Sequence, residues 1–200
     1  MARTADHEAR RQQVTDAALR TIAERGLART TLADVADAAG VSVGLVQRYF
    51  RAKDDLLRLS IAEIYRRAEE RFRDVPVEAP LRGYLLRVTE SLLPLDDARV
   101  AELRVWLEFL PATRHDPELS QMHHEATRGL VDGITAVLEG ACRSGEIAAD
   151  IDARLEALSI VALVDGLALH HLATADLFGD EATRRTLAAA VDDLFERGRS

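Results

Sequence analysis

The sequence predicts an all-α protein of about nine helices, and three observations lead to that fold class. Ala and Leu dominate, while aromatic residues make up only 4% of the chain, a composition that favours helices. Apolar residues recur at helical spacing in successive segments, and no convincing strand pattern is present. At 200 residues and 48% hydrophobic, the chain can bury a sizeable core in one or two domains.

Helical spacing begins near residue 9, and the first predicted helix carries a four-residue apolar repeat at Val14, Ala18 and Ile22. Gly26 is expected to end it, because glycine adopts the left-handed backbone that follows many helices. Thr31 is the predicted N-cap of a second helix. Gly40 is expected to end this second helix, whose apolar face contains Leu32, Val35, Ala36 and Ala39.

Two further helices follow in the N-terminal region. Ser42 can cap a third helix from Val43 to about Phe50. Asp54 or Asp55 is expected to open the fourth, which would be roughly 30 Å long at 1.5 Å per residue if it runs to about Asp74. Its apolar stripe contains Leu57, Ile61, Ile64 and Ala68.

Proline, glycine and aspartate positions divide the remaining sequence into five more helices. The segment Val75–Pro80 contains two prolines and is predicted to be a loop. Pro80 is expected at the first position of a fifth helix, which extends to Leu93 and is ended by Pro94. The last four helices are predicted from Asp96 or Asp97 to about Pro111, from Asp116-Pro117 to Gly145, from Asp152 to about Ala173, and from Glu181 to Arg197.

The two short helices joined at Gly40-Val41-Ser42 form the pattern that predicts a function. A helix-turn-helix needs a small first-helix face, a tight turn that contains glycine, and a second helix that presents side chains to the DNA major groove. Gln47 can pair with adenine, and Arg48 can reach guanine or a phosphate. The side chains expected to face outward are those of Val43, Gly44, Gln47 and Arg48. From spacing alone, an ordinary helical hairpin is an alternative.

The charge distribution is compatible with DNA binding although the net charge is −8. Residues 1–58 hold 10 Lys and Arg against 8 Asp and Glu, whereas residues 59–200 hold 16 against 26. A slightly positive N-terminal segment followed by an acidic body fits one DNA-facing domain, and a chance asymmetry is the alternative. Lys53 is the only lysine beside 25 arginines, which is compatible with a position that favours a compact ammonium group.

Residues 30–57, TTLADVADAAGVSVGLVQRYFRAKDDLL, resemble the DNA-binding domain of the tetracycline-repressor (TetR) family. The match extends over residues 8–58 and includes Gly40-Val41-Ser42, Gly44, Tyr49-Phe50, Lys53 and Leu56. The resemblance implies phosphate contacts by Thr31, Tyr49 and Lys53. It places against base edges the residues Val43, Gly44 and Gln47.

The same resemblance implies that Ser42 caps the recognition helix and also touches a phosphate. Arg48 is added to the DNA-binding set because of its predicted exposure. Gln47 stands where the family usually has tyrosine, so the resemblance does not imply which base is contacted there or what the operator sequence is.

The C-terminal two-thirds of the chain is similar, more loosely, to the regulatory domain of the BetI-like branch of the same family. The similar segments are Trp106 to Phe109, Asp116-Pro117 and Asp165 to Leu167. This resemblance implies a helical domain that binds a small-molecule effector and dimerises. Residues 1–58 are therefore taken as the DNA-binding domain and residues 59–200 as the regulatory and dimerisation domain.

Three residues, Trp106, Phe109 and Asp165, are candidates for the effector site. We expect a mostly apolar pocket among the helices of residues 80–173, with Asp165 as a polar anchor that favours cationic or hydrogen-bond-donating ligands. Alternatively, the two aromatic residues belong to the core, and Asp165 faces solvent or meets an arginine across a dimer interface.

The last two predicted helices, near residues 153–173 and 181–197, are rich in Ala, Leu and Val on more than one face. One face can pack the subunit while another pairs with a second chain; a central position in a monomer is the alternative. We expect a homodimeric repressor that a small molecule releases from a palindromic operator in double-stranded DNA. An activator or a global regulator of the same fold, without a small-molecule inducer, is the other possibility.

Other classes of function lack support in the sequence. No nucleophile elbow, P-loop, dinucleotide-binding loop or metal-ligand spacing is present, so we expect no enzyme activity, no cofactor, and no metal at the paired histidines His123-His124 and His170-His171. The single cysteine, Cys142, fits a reducing compartment. The N-terminus carries no apolar signal segment, and Asp165 interrupts the longest apolar run, near residues 157–169. We therefore expect a cytoplasmic protein without membrane contact.

Overall fold

The computed structural model describes residues 2–50 and 52–197, and every regular element within them is helical. The first four α-helices are α1 Ala2–Arg25, α2 Leu32–Ala39, α3 Val43–Tyr49 and α4 Lys53–Asp74. The other five are α5 Leu81–Glu90, α6 Asp97–Ala112, α7 Pro117–Ser144, α8 Ala153–Ala173 and α9 Asp180–Glu196. A short 3-10 helix, Leu27–Arg29, connects α1 to α2. The all-α prediction is confirmed.

Local capping defines the two helices of the helix-turn-helix. Thr31 and Asp34 form a capping box, in which each side chain bonds the backbone N–H of the other residue. Gly40 ends α2 with a φ of 65°, a left-handed conformation that costs glycine little. The Ser42 hydroxyl accepts a hydrogen bond from the Leu45 N–H and so begins α3. These three predicted helix ends are confirmed.

Other predicted boundaries are wrong. The first helix begins at Ala2 rather than near residue 9, because a polar helical turn has no apolar period to reveal it. Pro80 is the N-cap of α5, with an extended ψ of 144°, and not its first helical residue. The α5 helix ends at Glu90 instead of Leu93, since the Leu93 N–H bonds only three residues back and Pro94 disfavours helical backbone at the residue before it.

The two predicted aspartate caps in the C-terminal half are confirmed. Asp116 Oδ1 accepts hydrogen bonds from the Glu118 N–H at 2.9 Å and from the next amide at 3.2 Å, which begins α7. Asp152 accepts from the Leu155 N–H at 3.0 Å and begins α8. Carboxylates also interact favourably with the positive end of the helix dipole at these positions.

Packing divides the described residues into two compact units. The first contains α1 to α3, α4 as far as Arg67, and the segment Asp97–Gln121, which holds α6 and the start of α7. Within this unit α1 packs against both α2 and α6. Its buried apolar side chains include Val14, Ala18, Ile22, Val35, Val46, Phe50, Ile61, Val105 and Phe109. The functional division at residue 58 is not tested by this packing and stays a prediction.

The second unit contains Ala68–Asp96 and the chain from Met122 onward. Here α9 packs against α5 and α8, and ion pairs join Arg82 to Asp192 and Arg184 to Glu90 between α5 and α9. The buried core of this unit includes Leu85, Leu93, Val131, Ile134, Leu138, Ile160, Val164, Leu187, Val191 and Phe195.

The α8 helix has two different faces. One packs in the core of the second unit through residues such as Ile160 and Val164. The opposite face, called here the outer stripe of α8, is exposed and contains Leu155, Leu158, Ala162, Asp165 and Leu169. By length and composition alone, α8 is the one helix among the described residues that could cross a membrane, and core helices of soluble proteins share both properties.

Candidate nucleic-acid interface

The recognition helix α3 is anchored from one side and exposed on the other. Val46 and the following Phe50 are fully buried in the first unit, which fixes the rotation of α3 about its axis. The opposite side exposes Val43, Gly44, Gln47 and Arg48, as predicted. A Cβ placed on Gly44 would meet no atom within 4 Å, so the helix surface is open there. This face is free to approach another molecule.

Two hydroxyls assigned to phosphates are engaged in capping. The Ser42 hydroxyl accepts from the Leu45 N–H at 3.3 Å and keeps its own proton available for a second partner. The Thr31 hydroxyl donates to Asp34 Oδ2 at 2.7 Å. The hydrogen bonds from the Thr31 side chain and backbone lower the pKa of Asp34, with a smaller contribution from Arg25. A phosphate would therefore compete with Asp34 for the Thr31 proton.

Lys53 lies at the first residue of α4, where its ammonium group donates to the Ala28 carbonyl in the 3-10 helix. That short helix leads directly into Thr31, the N-cap of α2. Lys53 therefore ties the start of α4 to the 3-10 helix that leads into Thr31. Two residues that the sequence assigns to phosphate contacts are thus held in one region of the first unit.

Tyr49, the last residue of α3, is half-buried and has a neighbour that the sequence did not reveal. The His7 ring of α1 lies edge-on to the Tyr49 ring, with 5.4 Å between centroids and an interplanar angle of 63°. His7 itself is exposed. Because the two residues are far apart along the chain, no local pattern could have predicted the contact.

A buried ionic network joins α4 to α1, the helix that packs against α2 of the motif. The sequence did not predict this network. Glu63 of α4 is only 7% exposed and accepts hydrogen bonds from Gln12, Arg66 and Arg67. Burial alone would raise its pKa, but these three donors outweigh that effect and lower the pKa from 4.5 to about 2. Glu63 is therefore ionised at neutral pH in spite of its burial.

Arg67 extends this network to two other helices. It donates to Asp16 of α1 at 2.6 Å and lies 3.5 Å from the buried Glu102 carboxylate of α6. Burial would lower the pKa of Arg67, whereas the hydrogen bond to Glu63 and the nearby carboxylates raise it. One guanidinium group thus joins α1, α4 and α6 within the first unit. The polar residues on α4 gave no sign of this role, because helical spacing alone places them on the surface.

The residues proposed for an effector site fall in different units. Trp106, half-buried, and Phe109, fully buried, lie on α6 in the first unit, where Phe109 packs edge-on to Tyr65 with 6.3 Å between ring centroids. Asp165 lies on the outer stripe of α8 in the second unit. Desolvation of its carboxylate raises the pKa of Asp165 to about 6. Their assignment to ligand binding stays a prediction.

The first unit also has an open depression of about 490 Å³ where α1 ends beside α6. Its walls include Arg25, Arg29, Arg104 and Glu108, and neither Trp106 nor Phe109 lines it. Among the described residues, no cluster of three or more His, Cys, Asp or Glu side chains could hold a metal ion.

Comparisons with known proteins identify the family. Residues 14–59 match the family model of bacterial regulatory proteins of the tetR family, and residues 81–196 match the C-terminal model of BetI-type transcriptional repressors. The HTH-type transcriptional regulator BetI of Paraburkholderia xenovorans (strain LB400) is 33% identical to this chain over 188 residues, which cover 92% of this chain and 93% of that protein.

Solved structures agree with this assignment. A transcriptional regulator from Rhodococcus sp. Rha1 has a TM-score of 0.81 at 27% identity, covering 93% of this chain and 96% of that one. A transcriptional regulator from Saccharomonospora viridis, solved in complex with choline, shares the fold with a TM-score of 0.81 at 24% identity, covering 95% and 96% of the two chains. The matching families are regulators, not enzymes. The chain therefore belongs to the TetR family of transcriptional regulators, with an N-terminal helix-turn-helix DNA-binding domain and a C-terminal region of the BetI type.

Proposed function

We propose that this regulator is a cytoplasmic homodimeric repressor that a small molecule releases from a palindromic operator. The observation that carries the proposal is the exposed face of α3, anchored from behind by Val46 and Phe50. In the major groove, Gln47 would pair with adenine, Val43 and Gly44 would lie against base edges, and Arg48 would reach guanine or a phosphate.

Phosphate contacts would hold α3 in register without reading sequence. Lys53 and Thr31 supply an ammonium group and a hydroxyl near the entry of α2. Ser42 and Tyr49 supply hydroxyls at the two ends of α3. Because each neutralised phosphate releases counterions, binding should weaken steeply as the salt concentration rises.

The exposed outer stripe of α8 is the observation that favours a dimer. Its leucines Leu155, Leu158 and Leu169 are 59%, 48% and 45% exposed. Leaving them in water is unfavourable, because burying apolar surface stabilises a protein by about 25 cal/mol per Å². A second copy of the chain, related by a two-fold axis and paired through α8 and α9, would cover these side chains. A two-fold dimer also matches an inverted repeat, because its two recognition helices are related by the same symmetry as the two half-sites.

The effector is proposed to be a small cationic or hydrogen-bond-donating molecule. Two groups, each taken within its own unit, are candidates for that chemistry: the Asp165 carboxylate in the second unit, and the aromatic side chains of Trp106 and Phe109 in the first. Aromatic faces attract quaternary ammonium groups. Choline is the first compound to titrate, because the Saccharomonospora viridis regulator was solved with it.

In vitro selection from a randomised duplex library, followed by footprinting, tests the DNA-binding part of the proposal. The expected product is an inverted repeat protected as two half-sites about one helical turn apart, or at a larger spacing matched by DNA distortion. Protection of a single asymmetric half-site by a monomer would contradict the dimer.

Choline titration tests the effector part, with Trp106 emission and operator binding followed together. Trp106 is the only tryptophan, so its signal is unambiguous. Choline should change that emission and weaken operator binding, with a coupling of about 1–3 kcal/mol. If no compound in a series of related cationic ligands releases the protein from the operator, the result would favour an activator or a regulator without an inducer.

A further inference from the structure

The N-terminal half of α1 is tied to both helices of the helix-turn-helix. Gln13 donates its side-chain amide to the Ala39 carbonyl at 2.8 Å, at the end of α2. Nearer the N-terminus of α1, His7 contacts Tyr49 at the end of α3, with 5.4 Å between ring centroids. The His7 ring contacts the side chain of Tyr49, which is assigned to a phosphate contact with DNA. The Gln13 side chain contacts only the backbone of Ala39.

We propose that His7 is a positioning residue of the DNA interface, which holds the Tyr49 ring so that its hydroxyl faces the DNA backbone. The proposal rests on the proposed function, in which Tyr49 contacts a phosphate. Edge-on ring pairs attract when their centroids are 4.5–7 Å apart, and the observed geometry lies within that range. Among the described residues the Tyr49 hydroxyl has no hydrogen-bond partner that would orient it instead.

The position of Tyr49 explains why an external contact is useful. The α3 helix ends at this residue, and the backbone of Phe50 is already extended, with φ −127° and ψ 110°. Phe50 is fully buried and fixes the backbone, but Tyr49 is only half-buried. Without His7, the tyrosine ring would be more mobile in the free protein. DNA binding would then have to restrict that motion, and the entropy lost would weaken affinity.

His7 is exposed, so its removal leaves no cavity in the core. A positioning role therefore predicts a loss of DNA affinity without a loss of folding. It also predicts that any side chain with a similar ring should suffice. These two expectations distinguish His7 from a residue of the core and from a residue that itself bonds DNA.

The test measures binding of the full chain to a fluorescent duplex carrying the operator selected by the wild-type protein. His7→Ala should weaken binding about three- to tenfold, and His7→Phe should stay within about twofold of wild type. In a Tyr49→Phe background, which lacks the hydroxyl, His7→Ala should cost less than about twofold, because coupled residues are not additive. His124→Ala, which removes an exposed histidine of the second unit, should bind as wild type does.

Wild-type affinity of His7→Ala would overturn the inference, as would a His7→Phe variant as weak as His7→Ala. An undiminished effect of His7→Ala in the Tyr49→Phe background would also overturn it. Thermal melts followed by circular dichroism confirm that each variant is folded at the assay temperature. If the wild-type protein selects no duplex from the library, the proposed function itself fails, which is a separate result.

Discussion

Glu63 and Arg67 lie one turn apart on α4, and the Arg67 Nε donates to Glu63 Oε1 at 2.7 Å. Each residue also bonds α1, Glu63 through Gln12 at 2.6 Å and Arg67 through Asp16 at 2.6 Å. Since Glu63 is almost fully buried, removing its charge leaves several donors without an acceptor. The pair therefore holds α4 against the helix that supports the DNA-binding motif.

Replacement of Glu63 by glutamine should lower the free energy of unfolding by about 3 kcal/mol at pH 7, because it breaks a buried ion pair. The pKa of Glu63 is lowered from 4.5 to about 2 on folding. Its stabilising effect is therefore present above pH 4.5 and is lost as the pH falls from 4.5 towards 2. Urea denaturation at pH 7 and pH 3 should show the difference between wild type and Glu63→Gln shrinking at the lower pH.

Glu8→Gln is the matched control for that measurement. Glu8 is also a glutamate paired with an arginine, but its side chain is 71% exposed and lies 3.9 Å from Arg11. Its replacement should change the free energy of unfolding by less than about 0.5 kcal/mol at either pH. Equal effects of the two substitutions would show that the buried network does not stabilise the fold.

Lys53→Ala and Gln47→Ala should affect DNA binding differently. Loss of the Lys53 charge should weaken selected and random duplexes alike and reduce the salt slope by about one unit. Loss of Gln47 should cost about 1–3 kcal/mol on the selected operator and little on random DNA. Anisotropy titrations of both duplexes over a range of salt concentrations measure these effects. If Gln47→Ala weakens both duplexes equally, Gln47 does not read a base.

Thr31→Ala should destabilise the protein by about 1 kcal/mol, because it removes the N-cap of α2. Thr31→Ser keeps the hydroxyl and should restore most of that stability. Chemical denaturation of the two variants measures the cap, and duplex binding measures the proposed phosphate contact separately. A Thr31→Ala variant as stable as wild type would mean that the Lys53 contact to the 3-10 helix is enough to hold the entry of α2.

Asp165 should make dimerisation depend on pH. Desolvation raises the pKa of Asp165 to about 6, so folding disfavours the ionised form. The resulting loss of stability grows as the pH rises from 3.8 to 6 and is fully present above pH 6. If a second copy covers the outer stripe of α8, the cost increases in the dimer. We expect about tenfold weaker dimerisation at pH 8 than at pH 5.5, measured by sedimentation equilibrium.

Asp165→Asn should remove most of that pH dependence and strengthen the dimer at pH 8. Asp176→Asn, in the exposed loop after α8, is the control and should behave as wild type. Dimerisation of wild type that is unchanged between the two pH values would exclude Asp165 from the interface. Choline affinity of the same Asp165→Asn variant then tests the alternative role of Asp165 as a ligand anchor.

Features encoded by neighbouring residues could be predicted from the sequence. The ends of α2 and α3 follow from Thr31, Gly40 and Ser42, because caps and glycine turns act within a few residues. Burial of Val46 and exposure of Gln47 follow from the helical period. Local residue patterns are therefore enough to predict the fold class and the exposed face of the recognition helix.

Contacts between distant segments could not be predicted in this way. The pairs His7 with Tyr49 and Lys53 with Ala28 join residues from different helices or turns, and no periodic pattern records which surfaces meet. The burial of Glu63 contradicts the ordinary behaviour of glutamate and depends on partners supplied by α1 and by the same helix. Tertiary packing determines these features.

The open surface at Gly44 has a consequence for how this regulator can change its target. Val43, Gly44 and Gln47 contribute no fully buried side chain, and a methyl group on Gly44 would touch nothing. If these residues read the operator as proposed, mutations at the three positions should alter the preferred operator while the fold stays intact, and alanine at Gly44 should even favour the helix by about 0.5–1 kcal/mol. On that assignment, duplicated copies of such a gene would be free to diverge towards new promoters, and a designer would vary the same three positions to obtain regulators that do not interfere with one another.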